Sequence, residues 1–537
     1  MHLRPLPFAL PLVLAAMTAA PLAQAFCGFY VSGADAKLFN NATVVVLMRE
    51  GTRTVLSMQN NYQGPTDDFA MVVPVPVVLN KDNVKTLPND IFARVDRLTA
   101  PRLVEYWEQD PCTSPDPTRP QLVRISEKEI VILDPKAAAA QFGVKVEARF
   151  TAGEYDIAIL SAKNSLGLEA YLHAEKYKIP SGAAQYLRPY VAQGSKFFVA
   201  KVDSKKVKFQ NGQAQLSPLR FHYDSETFSL PVRLGLINSA GTQDLIVVTL
   251  GKMQYEAANY PNTMIPTNLR VNESVKSSFG AFYTALFDKT LEDHPRSIVT
   301  EYAWSAGSCD PCPEPPLKIE DLSTLGMDVL PSTKVGEKVL PQAAGRFTIT
   351  RLHARYEASS LGEDLVFRES KGASGGTGVP KPDGTMQEGA VFGYGVSFQG
   401  RYVILHSWTG PVACKEPHRG FWGGPLKSGA VAPTVATNTA FVPRGATLAS
   451  FWDTTPAGAS ITLAPVSSAS SEPPKPAPSL AEQTNPPMQS TPEPRTPPAS
   501  GGCASCAVGE DQNGFGAALG VLVASLAGLW RRRKRTA

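Results

Sequence analysis

The cysteines are the residues whose type and spacing point most directly to chemistry. In "WSAGSCDPCPEPP" Cys309 and Cys312 enclose Asp310 and Pro311 as a C-x-x-C unit. Such a pair is redox-active when a helix N-terminus lowers the pKa of its first thiol. Here Pro311, Pro313, Pro315 and Pro316 interrupt or follow the cysteines, so no helix starts cleanly. The first expectation is therefore structural: each cysteine bridged elsewhere, or the two closed on one another. A redox centre is the alternative. Zinc would need two more ligands at suitable spacing, and the folded part has no second C-x-x-C. No metal and no cofactor is expected.

A second stretch, "CKEPHRGFWGGP", runs from Cys414 to Pro425. It reads as a loop pinned by a disulfide. Its functional alternative is a ligand surface, with Phe421 and Trp422 as stacking faces and Arg419 as an anion contact. Carbohydrate binding would use such a platform. Other motifs are missing: there is no H-E-x-x-H and no phosphate loop. "KGASGGTG" is rich in glycine but runs into "VPKPDG" instead of a helix, so it reads as a mobile surface loop. His222 and His406 lie in β-type runs and read as packed or surface residues. No catalytic residue stands out, and the chain is not read as an enzyme.

The elements that would hold these residues are mostly strands. "ATVVVLMREGTRTVLSMQNNY" reads as a hairpin turning at Glu50-Gly51. "FAMVVPVPVVL" follows, with Pro74 and Pro76 placing it at an edge or an end of the sheet. "KVEARF", "YDIAILSA" and "KFFVAKVD" are further strands. Helices are expected over "SLGLEAYLHAEKY", capped by Ser165, over "SGAAQYLRPYV", and between Ser274 and Leu291, where apolar residues recur every three or four positions. Composition shifts near 330–345. Beyond it "RFTITRLHARYEA", "EDLVFRE", "AVFGYGVSFQGRYVILHSW" and "TAFVPRGATLASF" all read as strands. The expected class is α+β: a mixed, β-rich body with a few amphipathic helices over 26–335, then a mainly β domain over 336–465.

The two ends address location. Residues 1–25 carry Arg4, an apolar run and "PLAQA", which reads as a secretory signal cut by signal peptidase between Ala25 and Phe26. Residues 466–502 are rich in proline, serine and alanine and have no aromatics, which reads as a disordered stalk. Residues 514–530 are apolar or small and uncharged, at the short limit for a transmembrane helix. Arg531, Arg532, Arg533, Lys534 and Arg535 follow and would stay cytoplasmic. Removing those five and Arg4 from the 52 basic residues leaves 46 against 48 acidic ones. The formal charge of +4 is thus a targeting feature, and no nucleic-acid partner is expected. An exported chain permits disulfides among Cys27, Cys112, Cys309, Cys312 and Cys414, an odd set that leaves at least one thiol over or a bridge to the tail or to another chain.

"GGCASC", the apolar run and the arginine cluster together resemble the MYXO-CTERM sorting tail of myxobacterial surface proteins, over residues 503–537. The resemblance implies that a membrane protease cuts beside Cys503, with Cys506 the second candidate, and that the body reaches the cell surface or outer membrane. Most of 26–330 is similar to a numbered bacterial family of unknown function, DUF2330, through "FCGFYVSGADAKLFNNATVVVLMREGTRTVLSMQNNYQGPTDDFAMVVPVPV", "LSPLRFHYDSETFSLPVRLGLINSAG" and "EYAWSAGSCDPC". That resemblance implies exported or anchored proteins and carries over no functional residue. The expected role is a structural or binding one in the envelope, with the ligand unknown; the alternative is an exported thiol–disulfide protein using Cys309 and Cys312. Limited proteolysis, followed by mass spectrometry, should cut first within 466–502 and release a stable body ending near 465.

Overall fold

The computed structural model describes residues 29–31, 39–40, 43–59, 62–63, 70–113, 143–175, 179, 182–203, 205–210, 213–238, 242–331, 334–335, 338–339, 343–357, 362–393, 395–426, 431–437, 439, 442 and 444–452. The signal segment with Ala25 and Phe26, Cys27, the stalk, Cys503, Cys506 and the apolar run 514–530 lie outside these residues. No helix among the described residues is long and apolar enough to cross a membrane.

The predicted hairpin forms. β1 (Thr43–Glu50) and β2 (Arg53–Met58) pair antiparallel, turning through Gly51 at φ 59°. Their side chains are buried on both faces, Thr54 and Ser57 included. A strand buried on both faces must sit inside a layered structure, and both belong to an eleven-stranded mixed sheet. In that sheet β9 (Gln243–Gly251) runs parallel to β1 and antiparallel to β12 (Thr348–Tyr356). β12 pairs next with β11 (Ile298–Ser305). β8 (Leu219–Asp224) flanks β2, and β13 (Gly372–Gly375), β14 (Val391–Gly393) and β15 (Ser397–Gln399) close the other end. β12 lies beyond the composition shift, yet it sits in the middle of this sheet. The stretches on either side of 336 share one sheet, and the described residues belong to one compact unit.

One face of the large sheet packs on a five-stranded antiparallel sheet that includes β3 (Ala70–Val75), β5 (Val144–Ala152), β6 (Tyr155–Ala162) and β7 (Lys196–Val202). Val45, Leu47, Leu245 and Leu352 meet Val73, Phe150, Ile157 and Phe198 in that core. Pro74 lies beyond the described pairing of Phe29–Val31 with Ala70–Val72, and among the described residues its strand partner is Phe197. The outer face of the five-stranded sheet is covered by α2 (Ser165–Ala174) and α3 (Ala183–Ala192). The α2 cap is Asn164, whose side chain accepts from the Gly167 N–H, one residue before the expected Ser165.

The other face of the large sheet carries α1 (Asp90–Thr99), α5 (Ile319–Leu325) and α4 (Val275–Asp293). α4 matches the predicted periodicity. Five α-helices among the described residues against many strands make this a β-rich α+β body. Two expectations change. "TAFVPRGATLASF" contributes no strand among its described residues; it includes the single turn Leu448–Phe451, and Phe451 packs edge-on against Phe282 of α4. The glycine-rich "KGASGGTG" is not a free loop, since β13 occupies its middle and is paired on both sides. Its glycines allow close backbone approach. A Cβ on Gly376, at φ 66°, would collide with the Gln399 carbonyl oxygen, whereas Gly378, at φ 80°, faces open space. Both alanine variants incur the left-handed penalty of about 1–2 kcal/mol. Gly376→Ala should lose at least about 1 kcal/mol more than Gly378→Ala, because overpacking adds to strain; urea denaturation of the two variants measures the difference.

Candidate functional site

A third, smaller sheet brings together the sequence-nominated loop and its neighbours. β10 (Leu269–Arg270), β16 (Arg401–His406) and β4 (Arg102–Glu108) run parallel in that order. β17 (Trp422–Gly423) and β18 (Thr434–Val435) pair antiparallel with β4. Leu103, Tyr402 and Ile404 pack toward α4 with Phe279 and Phe282. The period of two then places Glu105, Trp107 and His406 on the α4 face, and Tyr106 and Glu108 on the opposite one.

At the carboxyl ends of these strands the α4 face becomes polar and aromatic. His406 Nε2 lies 2.8 Å from Glu105 Oε2, and Lys276 Nζ lies 2.7 Å from Glu105 Oε1. Burial opposes the charge on Glu105, but hydrogen bonds from Lys276 and His406 outweigh it and hold the carboxyl below its usual range. The Trp107 and His406 rings stack at 4.8 Å between centroids. On its other side Trp107 pairs with Gly423, where the Gln109 side chain lies 3.0 Å from the position a Cβ would take.

The loops beyond these strands are fixed from below. The Cys112–Cys414 disulfide joins the chain just after β4 to the chain after β16, with 5.5 Å between the Cα atoms. Glu108 accepts the backbone N–H groups of Trp408 and Gly420, each at 2.9 Å, and pairs with Arg419 Nε at 3.3 Å. Gln109 Nε2 donates to the carbonyls of Trp107 and Gly424. Arg419 is therefore tied to Glu108 while remaining half exposed. Phe421 is 48% exposed. Trp422 pairs with Glu108 in register, and its Nε1 donates to the Lys381 carbonyl at 3.1 Å. Phe421 and Trp422 are adjacent on an extended segment, so their rings project to opposite faces and do not form one platform.

The C-x-x-C unit sits under the opposite face. Cys309 and Cys312 are bonded to each other. The loop they close is gripped by buried side chains: Arg102 Nη1 donates to the Pro311 carbonyl at 2.7 Å, and Gln399 Nε2 donates to the Asp310 carbonyl. Arg102 and Arg401 are paired in register and both are buried. Arg401 donates to Asn268 Oδ1, the Tyr106 hydroxyl and the Gly378 carbonyl. Burial lowers the pKa of both guanidinium groups.

Between the large sheet and its helices lies a buried ionic network that the sequence did not announce. Arg351, His353 and Arg355 alternate along β12 and so share one face. A β-bulge between Thr300 and Tyr302 leaves Glu301 unpaired in β11 and aims it at them. Glu301 Oε2 accepts from Arg351 Nε at 2.5 Å, and Glu301 Oε1 lies 2.6 Å from His353 Nδ1 and accepts the Tyr283 hydroxyl. Arg351 Nη1 reaches Asp96 of α1 at 2.6 Å. His353 stacks on Phe287 of α4, and its Nε2 lies 3.3 Å from Asp244 Oδ1. Arg355 and Arg444 also pair with Asp244. The signal was present as single acids inside apolar runs, in "TQDLIVVTL" and "VTEYAWS", but nothing local said that they face the cations of "RLHARYEA". Among the described residues no group of three or more His, Cys, Asp and Glu side chains is placed to hold a metal ion.

Fold and site together define a layered, disulfide-braced α+β protein whose exposed aromatic loops stand at the ends of parallel strands. The chain belongs to the family described as "Uncharacterized protein conserved in bacteria (DUF2330)", whose pattern matches residues 21–368. No curated protein matches it. A crystal structure of baculovirus P35 overlaps it at 14% identity with a TM-score of 0.21, over 41% of this chain and 66% of that one, a score too low to establish a shared fold.

The network makes stability depend on pH at both ends. Burial opposes the charge on Glu301, but His353 and Arg351 hold its pKa down at about 2, so its contribution is present above the unfolded value and lost as pH falls toward about 2. Burial also opposes the charge on His353, but Glu301 and Asp244 hold its pKa above the ordinary 6.5. That contribution is full below the unfolded value and is lost as pH rises through the folded one. Urea midpoints between pH 5 and 9 should therefore fall on the alkaline side, and His353→Gln should be less stable at pH 5 and lose most of that slope.

Proposed function

We propose that this is an exported, surface-displayed envelope protein with a structural or binding role, carried through the membrane by its signal segment and sorted by its C-terminal tail. The observation that supports this reading most is the oxidised state of the described cysteines: all four are paired, and Cys112–Cys414 joins positions 302 residues apart. Such bridges persist in oxidising compartments and are rare in the cytosol. Cys112–Cys414 braces the region that presents Arg419, Phe421 and Trp422 to solvent, which suits a body that holds a ligand face rigid outside the cell. Signal peptidase at Ala25–Phe26, an apolar anchor at 514–530 and a sorting protease at Cys503 or Cys506 complete the reading.

The alternative, an exported thiol–disulfide protein using Cys309 and Cys312, draws support from the bond between them and from the exposure of Cys312. Against it, the next helix begins only at Ile319, too far along the chain to lower the pKa of either thiol. Arg102 and Gln399 also clamp the intervening carbonyls, and a cycle of opening and closing would disturb both contacts.

Cell fractionation and surface labelling test the proposal. Cys503→Ala should leave full-length protein in the inner membrane and remove it from the surface, and Cys506→Ala should have a smaller effect. Surface delivery that survives loss of both cysteines overturns the sorting step. Free thiols at Cys112 and Cys414 in protein taken from cells overturn export.

A further inference from the structure

We propose that the face carrying Trp107, His406 and Phe421 binds a neutral polysaccharide, an inference that rests on reading this end of the molecule as a ligand surface. Trp107 and His406 are register partners on parallel strands, so their stacked rings share the α4 face. Gln109 donates its backbone N–H to the Phe421 carbonyl, extending the pairing of β17 by one residue. By alternation Phe421 lies on the same face as Gly423 and its partner Trp107. Glu105, two residues before Trp107, brings Lys276 to the same strip. The result is a row of the Trp107, His406 and Phe421 rings, with the Gln109 amide over Gly423 and a carboxylate and an ammonium at its edge.

Two features distinguish this row from ordinary packing. First, Phe421 stays about half exposed although three independent devices hold its loop: the Cys112–Cys414 bridge, the Glu108 carboxylate on two backbone N–H groups, and the Gln109 amide on two carbonyls. An exposed loop held rigid without turning its rings inward has the preorganisation that recognition needs. Second, charge in the row is matched in place. Glu105 is paired with Lys276 at 2.7 Å, so no net field draws a polyanion. A neutral sugar ring suits both features. Its C–H face lies on an aromatic ring while its hydroxyl rim exchanges hydrogen bonds with the polar edge. An apolar peptide or a lipid surface would instead need a continuous greasy groove, and here the rings alternate with Glu105, Lys276 and His406.

Affinity electrophoresis of the full-length protein tests this with a panel of neutral glucan, neutral mannan and neutral galactan, against alginate as an acidic polysaccharide and phosphatidylglycerol vesicles in a flotation assay. At least one neutral polysaccharide should retard the protein. Phe421→Ala, an exposed substitution expected to leave the thermal midpoint unchanged, should weaken that retardation about tenfold, and Trp107→Ala at least as much. Lys415→Ala, on the same loop but outside the row, should bind normally. Retardation unchanged in both aromatic variants places the sugar elsewhere and overturns the inference. Binding only to alginate or to vesicles overturns the neutral class, and no binding by a correctly exported, disulfide-bonded protein overturns the glycan assignment while leaving export and display intact.

Discussion

The carboxylate of Glu301 is the point on which the helix side of the large sheet depends. It is fully buried, it lies at a bulge in β11, and it faces a cation on each side, Arg351 and His353. Through Arg351 it reaches Asp96 on α1, and through Tyr283 it reaches α4. One charge thereby ties together two helices that otherwise rest on separate hydrophobic clusters. Buried ion pairs gain little net energy over apolar packing, but removing one partner leaves the others charged in a low dielectric at a cost of about 3–5 kcal/mol. The arrangement therefore works as a unit: Arg351 satisfies Glu301 only while the bulge holds it in place.

The same logic recurs at lower depth in the small parallel sheet. Arg102 and Arg401 stand side by side under the C-x-x-C loop and are satisfied mainly by carbonyl oxygens: Leu98 and Pro311 for one, Gly378 for the other, which also has Asn268 and Tyr106. Leu98 ends α1, whereas the Pro311 and Gly378 carbonyls belong to loops, the first closed by the Cys309–Cys312 disulfide. Charge at the base fixes the backbone at Pro311 and Gly378, as the Glu108 carboxylate fixes the Trp408 and Gly420 N–H groups of the loop that carries Phe421. In this way a feature of the core becomes a feature of the surface.

Much of the fold was legible because local pattern and final structure agree. The β1–β2 hairpin, the strands at 144–152, 155–162 and 196–202, and α4 all follow from alternation or from a repeat of three to four residues. The parts that were not legible failed for specific reasons. α1 is short and was passed over, although Ile91, Phe92, Val95 and Leu98 form a helical stripe. "TAFVPRGATLASF" has the composition of a strand, but the α4 surface claims Phe451 and no strand forms among the segment's described residues. The glycines of "KGASGGTG" read as freedom, yet Gly372, Gly375 and Gly376 are required for close contact and only Gly378 faces open space, since the same missing Cβ serves both.

Read alone, the chain determined its periodic elements, its α+β class, the pairing capacity of its cysteines and the expectation of an exported, anchored protein, because each of these depends on residues close together in sequence. Only the tertiary structure decided which cysteines join, that 348–356 belongs in the middle of the first sheet, that Phe421 and Trp422 face opposite ways, and that Trp107 and His406, 299 positions apart by their numbers, stack as one surface. The physical reason is the same in each case. Strand register and the face of a side chain are set by which strands pair, and that pairing is chosen by burial across the whole chain, a choice no local stretch contains.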